Sequence, residues 1–226
     1  MLKAIFNLIY PKICYACGEA ISGKINNVCV SCRANLAFLD IKDFTNNPIQ
    51  QLFWGRVTFE KATAFVKFEK NGTLQKLLHS LKYRGVKDVG VTLGELAALE
   101  IEGSGFFNGI DVLIPVPIHA KKQKKRGYNQ SHYIAEGVGN ITTLPINLTS
   151  IKKELNTASQ TRKKRFERFE NVSNTFTLLN TEDLTGKHIL LIDDVVTTGS
   201  TLEACANILK EIEGVKLSLL TISATY

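Results

Sequence analysis

Two adjacent carboxylates, Asp193 and Asp194, follow the apolar run Ile189–Ile192. After two valines comes the hydroxyl-rich stretch Thr197-Thr198-Gly199-Ser200-Thr201. An apolar run bounded in this way reads as a buried parallel strand, so the acids emerge at its carboxyl edge. Paired carboxylates there accept hydrogen bonds from two vicinal hydroxyls, or hold a divalent cation. Gly199 permits a tight turn into the following helix. The free N–H groups at the helix start, with the hydroxyls of Thr197, Thr198, Ser200 and Thr201, then form a cradle for a phosphate. A diol reader followed at once by a phosphate cup describes a sugar 5-phosphate. Three other readings explain less. A nucleotide P-loop requires a lysine after its last glycine, and none follows Gly199. An aspartyl phosphotransfer site accounts for the acids and leaves the hydroxyls idle. A helix N-cap at Ser200 or Thr201 accounts for the turn and leaves the acids incidental.

A second set of chemical residues lies near the start of the chain. Cys14, Cys17, Cys29 and Cys32 form two C-x-x-C pairs separated by 11 residues. Each pair turns tightly enough to offer both sulfurs to one ion, so the spacing predicts a tetrahedral four-thiolate zinc site. Two disulfides or a redox dithiol are the rival readings. Nothing suggests export, and a single C-x-x-C suffices for redox work. An all-sulfur site has no open position, so the zinc is expected to be structural. Cys205, alone in a helical pattern, reads as a small buried apolar residue.

The surrounding pattern says what must hold these groups. A turn-prone polar stretch near residue 45 divides a ribbon, 1–45, from a larger domain, 46–226. Within the larger domain, 46–110 reads as a hood and 111–226 as a core. Short β-rich runs alternate there with amphipathic stretches: strands over 62–68, 111–118, 145–151, 188–193 and 215–226, and helices over 73–83, 91–100, 129–140, 159–170 and 200–213. Such alternation predicts an α/β fold, a parallel sheet with helices on both faces, whose ligands bind at the carboxyl ends of the strands.

Apolar residues make up 44% and charged residues 22% of the chain, which excludes disordered and fibrous classes. No apolar run approaches the roughly 20 residues of a membrane helix, so no membrane insertion is expected. The first residues lack a cleavage site and read as a mature cytoplasmic N-terminus. The net charge of +7 is regional: between 119 and 168 twelve Lys or Arg face three Glu, a local +9, and the remainder carries −2. A surface facing a polyanion, nucleic acid or polyphosphate, explains such clustering.

The stretch "ILLIDDVVTTGST" resembles the phosphoribosyl pyrophosphate signature of the type I phosphoribosyltransferases. With "IPVPIHAKKQKKRGYNQSHYIAEGVG" (114–139), "NTASQTRKKRFERFENVSNTF" (156–176) and the four-cysteine ribbon, the order of motifs is similar to that of the ComF competence family, relatives of amidophosphoribosyltransferase. Ile114 replaces the first valine of the V-P-V-P segment, a conservative departure. The resemblance covers nearly the whole chain. It implies a type I phosphoribosyltransferase-like fold with a zinc ribbon, and phosphoribosyl pyrophosphate bound with magnesium. Asp193 and Asp194 would hold the ribose and magnesium, and Thr197 to Thr201 the 5-phosphate. A pyrophosphate loop would be formed by Pro117, Ile118, His119, Ala120 and Lys121. Arg126, Gln160, Arg162, Arg165 and Arg168 would serve as flexible-loop or nucleic-acid contacts. The implied role is DNA uptake in natural transformation through single-stranded DNA binding, with a DNA-uptake helicase or recombination mediator as partner. The alternative is an active transferase of ribose 5-phosphate to an acceptor the sequence does not name, and no catalytic residue is assigned.

Overall fold

The strand that carries the carboxylates is the interior of the fold. In the computed structural model, which describes residues 12–21, 27–153 and 176–225, β5 (His188–Val196) lies between two parallel neighbours, β2 (Val112–Pro115) and β6 (Lys216–Ala224). β6 pairs in turn with β1 (Ala62–Lys67), giving the order β1-β6-β5-β2, parallel throughout. These strands are buried on both faces, which is why their sequences are nearly continuous apolar runs. Successive side chains alternate between two cores. Leu190 and Ile192 face one, with Phe65, Leu113, Leu220 and Ile222. Ile189 and Leu191 face the other, with Ala64, Ile114, Leu217 and Leu219.

The first core is covered by α3 (Thr73–Tyr83), α4 (Lys87–Ile101) and α6 (Gln130–Thr142). Leu74, Leu77, Leu78 and Leu81 form the buried stripe of α3, as their spacing predicts. Helices α4 and α6 cross with glycine at the contact. A Cβ on Gly94 would fall on the carbonyl oxygen of Ile134, and one on Gly137 on that of Val91. The second core is covered by α7 (Ser200–Leu209) and by α2 (Pro48–Gln51) with the following Phe53 and Phe59. The expected α/β architecture with helices on both faces is therefore present.

The ribbon is built on α1 (Val30–Ala34) and the bridge between Ile13 and Ala20. Its buried residues Cys14, Val28, Cys32 and Leu36 belong to the first core, continuous with Leu77 and Leu93. Asn27 fixes it to α4, donating from Nδ2 to Thr92 Oγ1 at 2.9 Å and to the Asp88 carbonyl at 3.3 Å.

One expected strand is not formed as such. Over 145–151 only Ile146 makes a parallel bridge, to Leu113. Asn147 Oδ1 then accepts the N–H groups of Thr149 and Ser150, both at 3.0 Å, and this side-chain turn ends the extension before more of the ladder can form. The chain pairs again at β3 (Ile151–Lys153), antiparallel to β4 (Phe176–Leu178). The basic helix expected over 159–170, with Gln160, Arg162, Arg165 and Arg168, lies outside the described residues. The helix expected over 200–213 ends at Leu209. A short helix not foreseen, α5 (Ala120–Arg126), follows β2. No helix among the described residues is long and apolar enough to cross a membrane.

Candidate functional site

β5 outruns β2. The last paired positions are Pro115 and Ile192, so Asp193 and Asp194 stand past the end of β2 while β5 still pairs with β6 on its other side. Asp193 Oδ1 accepts from Ser131 Oγ at 2.8 Å and from the Asp194 N–H at 2.9 Å. Ser131 is placed by the start of α6, where Asn129 caps the helix by accepting from the Ser131 N–H. The Asn129 amide also donates to the Val116 carbonyl at 3.0 Å, which ties the helix start to the loop leaving β2. Burial first, and the Asp194 charge next, push the Asp193 carboxyl up to about 7, against the lowering effect of its hydrogen bonds and of Lys82. Asp194 is 5% exposed, and its Oδ2 lies 2.6 Å from Lys82 Nζ at the end of α3. Lys153, half-buried at the end of β3, has its ammonium pKa lowered by burial, with Asp193 near enough to oppose the shift.

The hydroxyl-rich turn follows directly. Gly199, at φ +78°, takes the left-handed conformation and leads into α7, whose first N–H groups receive no side-chain cap. Thr197, Thr198, Ser200 and Thr201 are exposed around it, with Thr198 Oγ1 and Ser200 Oγ 3.1 Å apart. Phe53 packs beneath: a Cβ on Gly199 would meet its ring at 2.7 Å. Arg56 braces the turn, donating to the Thr198 carbonyl at 3.1 Å and to the Leu52 carbonyl, and pairing with Glu203 at 2.7 Å.

Past β2, Pro117, Ile118 and His119 are half-buried, while Ala120 and Lys121 are exposed. His119 Nδ1 caps α5 by accepting from the Lys121 N–H at 3.1 Å. Pro117, Ile118 and Ala120 line a cavity of about 520 Å³ with Gln123, Lys152 and Lys153. Arg126 donates to Gln130 Oε1 at 2.6 Å and stands 5.6 Å from the centre of the exposed Tyr83 ring. The structure thus brings the acid pair and the hydroxyl turn onto one strand end and sets the loop 117–121 at the end of the adjoining strand.

Sequence reasoning missed Lys82, Ser131, Phe53 and Arg56. Lys82 left one signal, a cation immediately after the last leucine of a buried stripe. Arg56 and Phe53 left none, because they reach the turn from 142 or more residues away in the chain.

The four cysteines meet as their spacing predicts. Their sulfurs all lie within 4.8 Å of one another, and none forms a disulfide. Cys17 Sγ and Cys29 Sγ are 3.8 Å apart. That is about the edge of a tetrahedron with metal–sulfur arms of roughly 2.3 Å. Backbone N–H groups point at the sulfurs, Cys29 N at Cys14 Sγ and Cys32 N at Cys29 Sγ, both at 3.4 Å. Burial opposes ionisation of Cys14, yet the N–H groups of Cys29, Cys17 and Ala16 bring its thiol down to about 6. Cys32 is pushed upward by burial and by the other sulfurs. Four thiolates so placed need a cation between them, and the donor set fits a metal ion.

Comparison with known proteins agrees with this geometry. The family model described as phosphoribosyl transferase domain matches residues 139–223. Competence protein ComFC of Bacillus subtilis (strain 168) is 30% identical over 146 residues, covering 62% of this chain and 55% of that protein. Competence protein F of Haemophilus influenzae is 28% identical over 144 residues, 62% of each chain. DNA utilization protein YhgH of Escherichia coli (strain K12) is 28% identical over 139 residues, 60% of each. The matched region therefore spans little more than half of these relatives' own length. With a parallel sheet flanked by helices, a phosphoribosyl transferase domain and a four-cysteine cluster in one chain, the protein is similar to the ComF competence proteins and has a phosphoribosyltransferase-type fold.

Proposed function

We propose that the protein binds phosphoribosyl pyrophosphate with magnesium at the carboxyl end of β5 and acts in DNA uptake during natural transformation through single-stranded DNA binding. The observation that carries the first part is the direct succession of a carboxylate pair, half-buried Asp193 and buried Asp194, and an uncapped helix start turned by Gly199. In this reading Asp193 and Asp194 take the ribose hydroxyls, and Thr197 to Thr201 the 5-phosphate. The loop Pro117 to Lys121 faces the pyrophosphate, and magnesium, when bound, neutralises that group. Zinc at Cys14, Cys17, Cys29 and Cys32 is structural. The DNA role is supported by the names of the relatives, two competence proteins and a DNA utilization protein, and by the local +9 charge over 119–168. A cytoplasmic setting, and a DNA-uptake helicase or recombination mediator as partner, belong to the same proposal.

The test is calorimetric titration of the zinc-loaded protein with phosphoribosyl pyrophosphate and magnesium, beside an Asp193→Asn/Asp194→Asn variant. Binding by the wild type that the variant loses is the expected result. Binding by neither, or equal binding by both, overturns the sugar-phosphate reading. For the DNA role, anisotropy with a labelled single strand should weaken with salt, log K falling with log salt by about 0.7 per phosphate contact. Absent or salt-insensitive binding overturns it. Release of pyrophosphate on adding a nucleobase, amine or nucleic acid would make the protein a transferase.

A further inference from the structure

Opposite its buried leucines, α3 presents a face of another character. Gln75, His79 and Tyr83 recur on it at four-residue intervals, with Lys76 beside them. Along this face α3 and the ribbon enclose a groove of about 440 Å³. Tyr15 and Ala16, which lie between the first two cysteines, form one wall, and Gln75, Lys76, His79 and Arg84 line the other. Among the described residues, no acid lines this groove. Next to Arg84 stands Tyr83, 65% exposed. The His79 ring lies 5.0 Å from it, tilted by 45°, and the Arg126 guanidinium lies 5.6 Å from its centre, so neither neighbour covers it. Arg126 ends α5, whose sequence AKKQKKR holds no carboxylate. Cations therefore reach the ring from two helices.

Positive charge alone suits any polyanion, and an open aromatic ring among the charges narrows the choice. Bases stack on such rings whatever their sequence, while the flanking cations hold the phosphates. A duplex keeps its base faces inside its own stack, so it has nothing to offer the ring. We infer that the groove and the Tyr83 ring carry a single strand of DNA: one base stacks on Tyr83, and the phosphates on either side of it lie against Lys76 and Arg84 in the groove and against Arg126 on α5. The inference rests on the single-stranded DNA reading above and gives it a surface. It takes the strand out of the basic segment 119–168, across α3 and on to the four-cysteine ribbon. The wall made by Tyr15 and Ala16 then makes the ribbon part of the interface.

The experiment is fluorescence anisotropy of the full chain with a labelled oligothymidine strand of about 15 nucleotides, and with the same strand lacking its bases, for wild type, Tyr83→Ala, Tyr83→Phe and Lys76→Met/Arg84→Met. The three side chains are exposed, so the fold tolerates their loss. Tyr83→Ala should weaken binding of the intact strand by about tenfold, the order of one lost base stack, and leave the abasic strand unchanged. Tyr83→Phe should bind both strands as the wild type does. The double variant should bind both more weakly, with a salt slope shallower by about 1.4, two phosphate contacts at roughly 0.7 each. Equal weakening of the two strands by Tyr83→Ala, or none, overturns the stacking role, and an unchanged salt slope in the double variant overturns the path through the groove. A wild type that binds neither strand removes the single-stranded DNA reading itself, whereas binding that no variant alters removes only this surface.

Discussion

Asp193 is held in a setting that favours its proton, and this gives the free protein a signature in pH. An unfolded aspartate titrates near 4, while in the folded protein burial and the Asp194 charge raise the same carboxyl to about 7. Between those values the folded chain binds more protons than the unfolded one. Stability conferred by this residue is therefore present at the acidic end and falls as pH rises through the window, reaching its lowest level above 7. The ceiling is about 4 kcal/mol for a three-unit shift. Urea midpoints in ligand-free buffer should be lower at pH 8 than at pH 5, and Asp193→Asn should flatten that difference; an equal slope in the variant would assign the effect to other groups. At this scale the sequence was half legible. The acids and hydroxyls announce themselves by type and order. Their countercharge does not, because Lys82 is named by a helix end meeting a strand end, and no spacing along the chain records that meeting.

At the scale of elements, hydrophobic rhythm did most of the work. The stripe Leu74, Leu77, Leu78 and Leu81 predicts α3 to the residue, and Ile189–Ile192 predicts a buried parallel strand. Rhythm failed at 145–151, where alternation is present and the side chain of Asn147 overrules it. It was also silent on how α4 and α6 meet. The contact there is made by glycines, Gly94 and Gly137. Gly94→Ala or Gly137→Ala sets a methyl group against the facing helix backbone and should cost about 1–3 kcal/mol or more, since neither carbonyl can move without displacing its helix. Gly103, whose Cβ position is open, provides the control: Gly103→Ala should change stability by less than about 0.5 kcal/mol. Thermal melts of the three variants decide this, and equal midpoints would mean that the helices separate freely.

For the whole molecule, the ribbon and the α/β core share one apolar cluster, in which Cys14, Val28, Cys32 and Leu36 are continuous with the leucines of α3 and α4. Composition and turn signals suggested a seam near residue 45, but they carry no information on whether the two sides bury a common surface. Removing the metal with a chelator should accordingly lower the melting temperature of the entire protein, in one calorimetric transition. Two transitions, the upper one unmoved, would show the ribbon to be energetically separate. The sheet order has a consequence for synthesis. β1 pairs along one edge only with β6, and β6 is made after every other strand described. Roughly 150 residues of translation separate Lys67 from Lys216, and throughout that interval the edge of β1 waits bare. A nascent chain of this topology gains its central strand last, so its apolar edge is left to chaperones or to aggregation until β6 emerges and closes the sheet in a single late step.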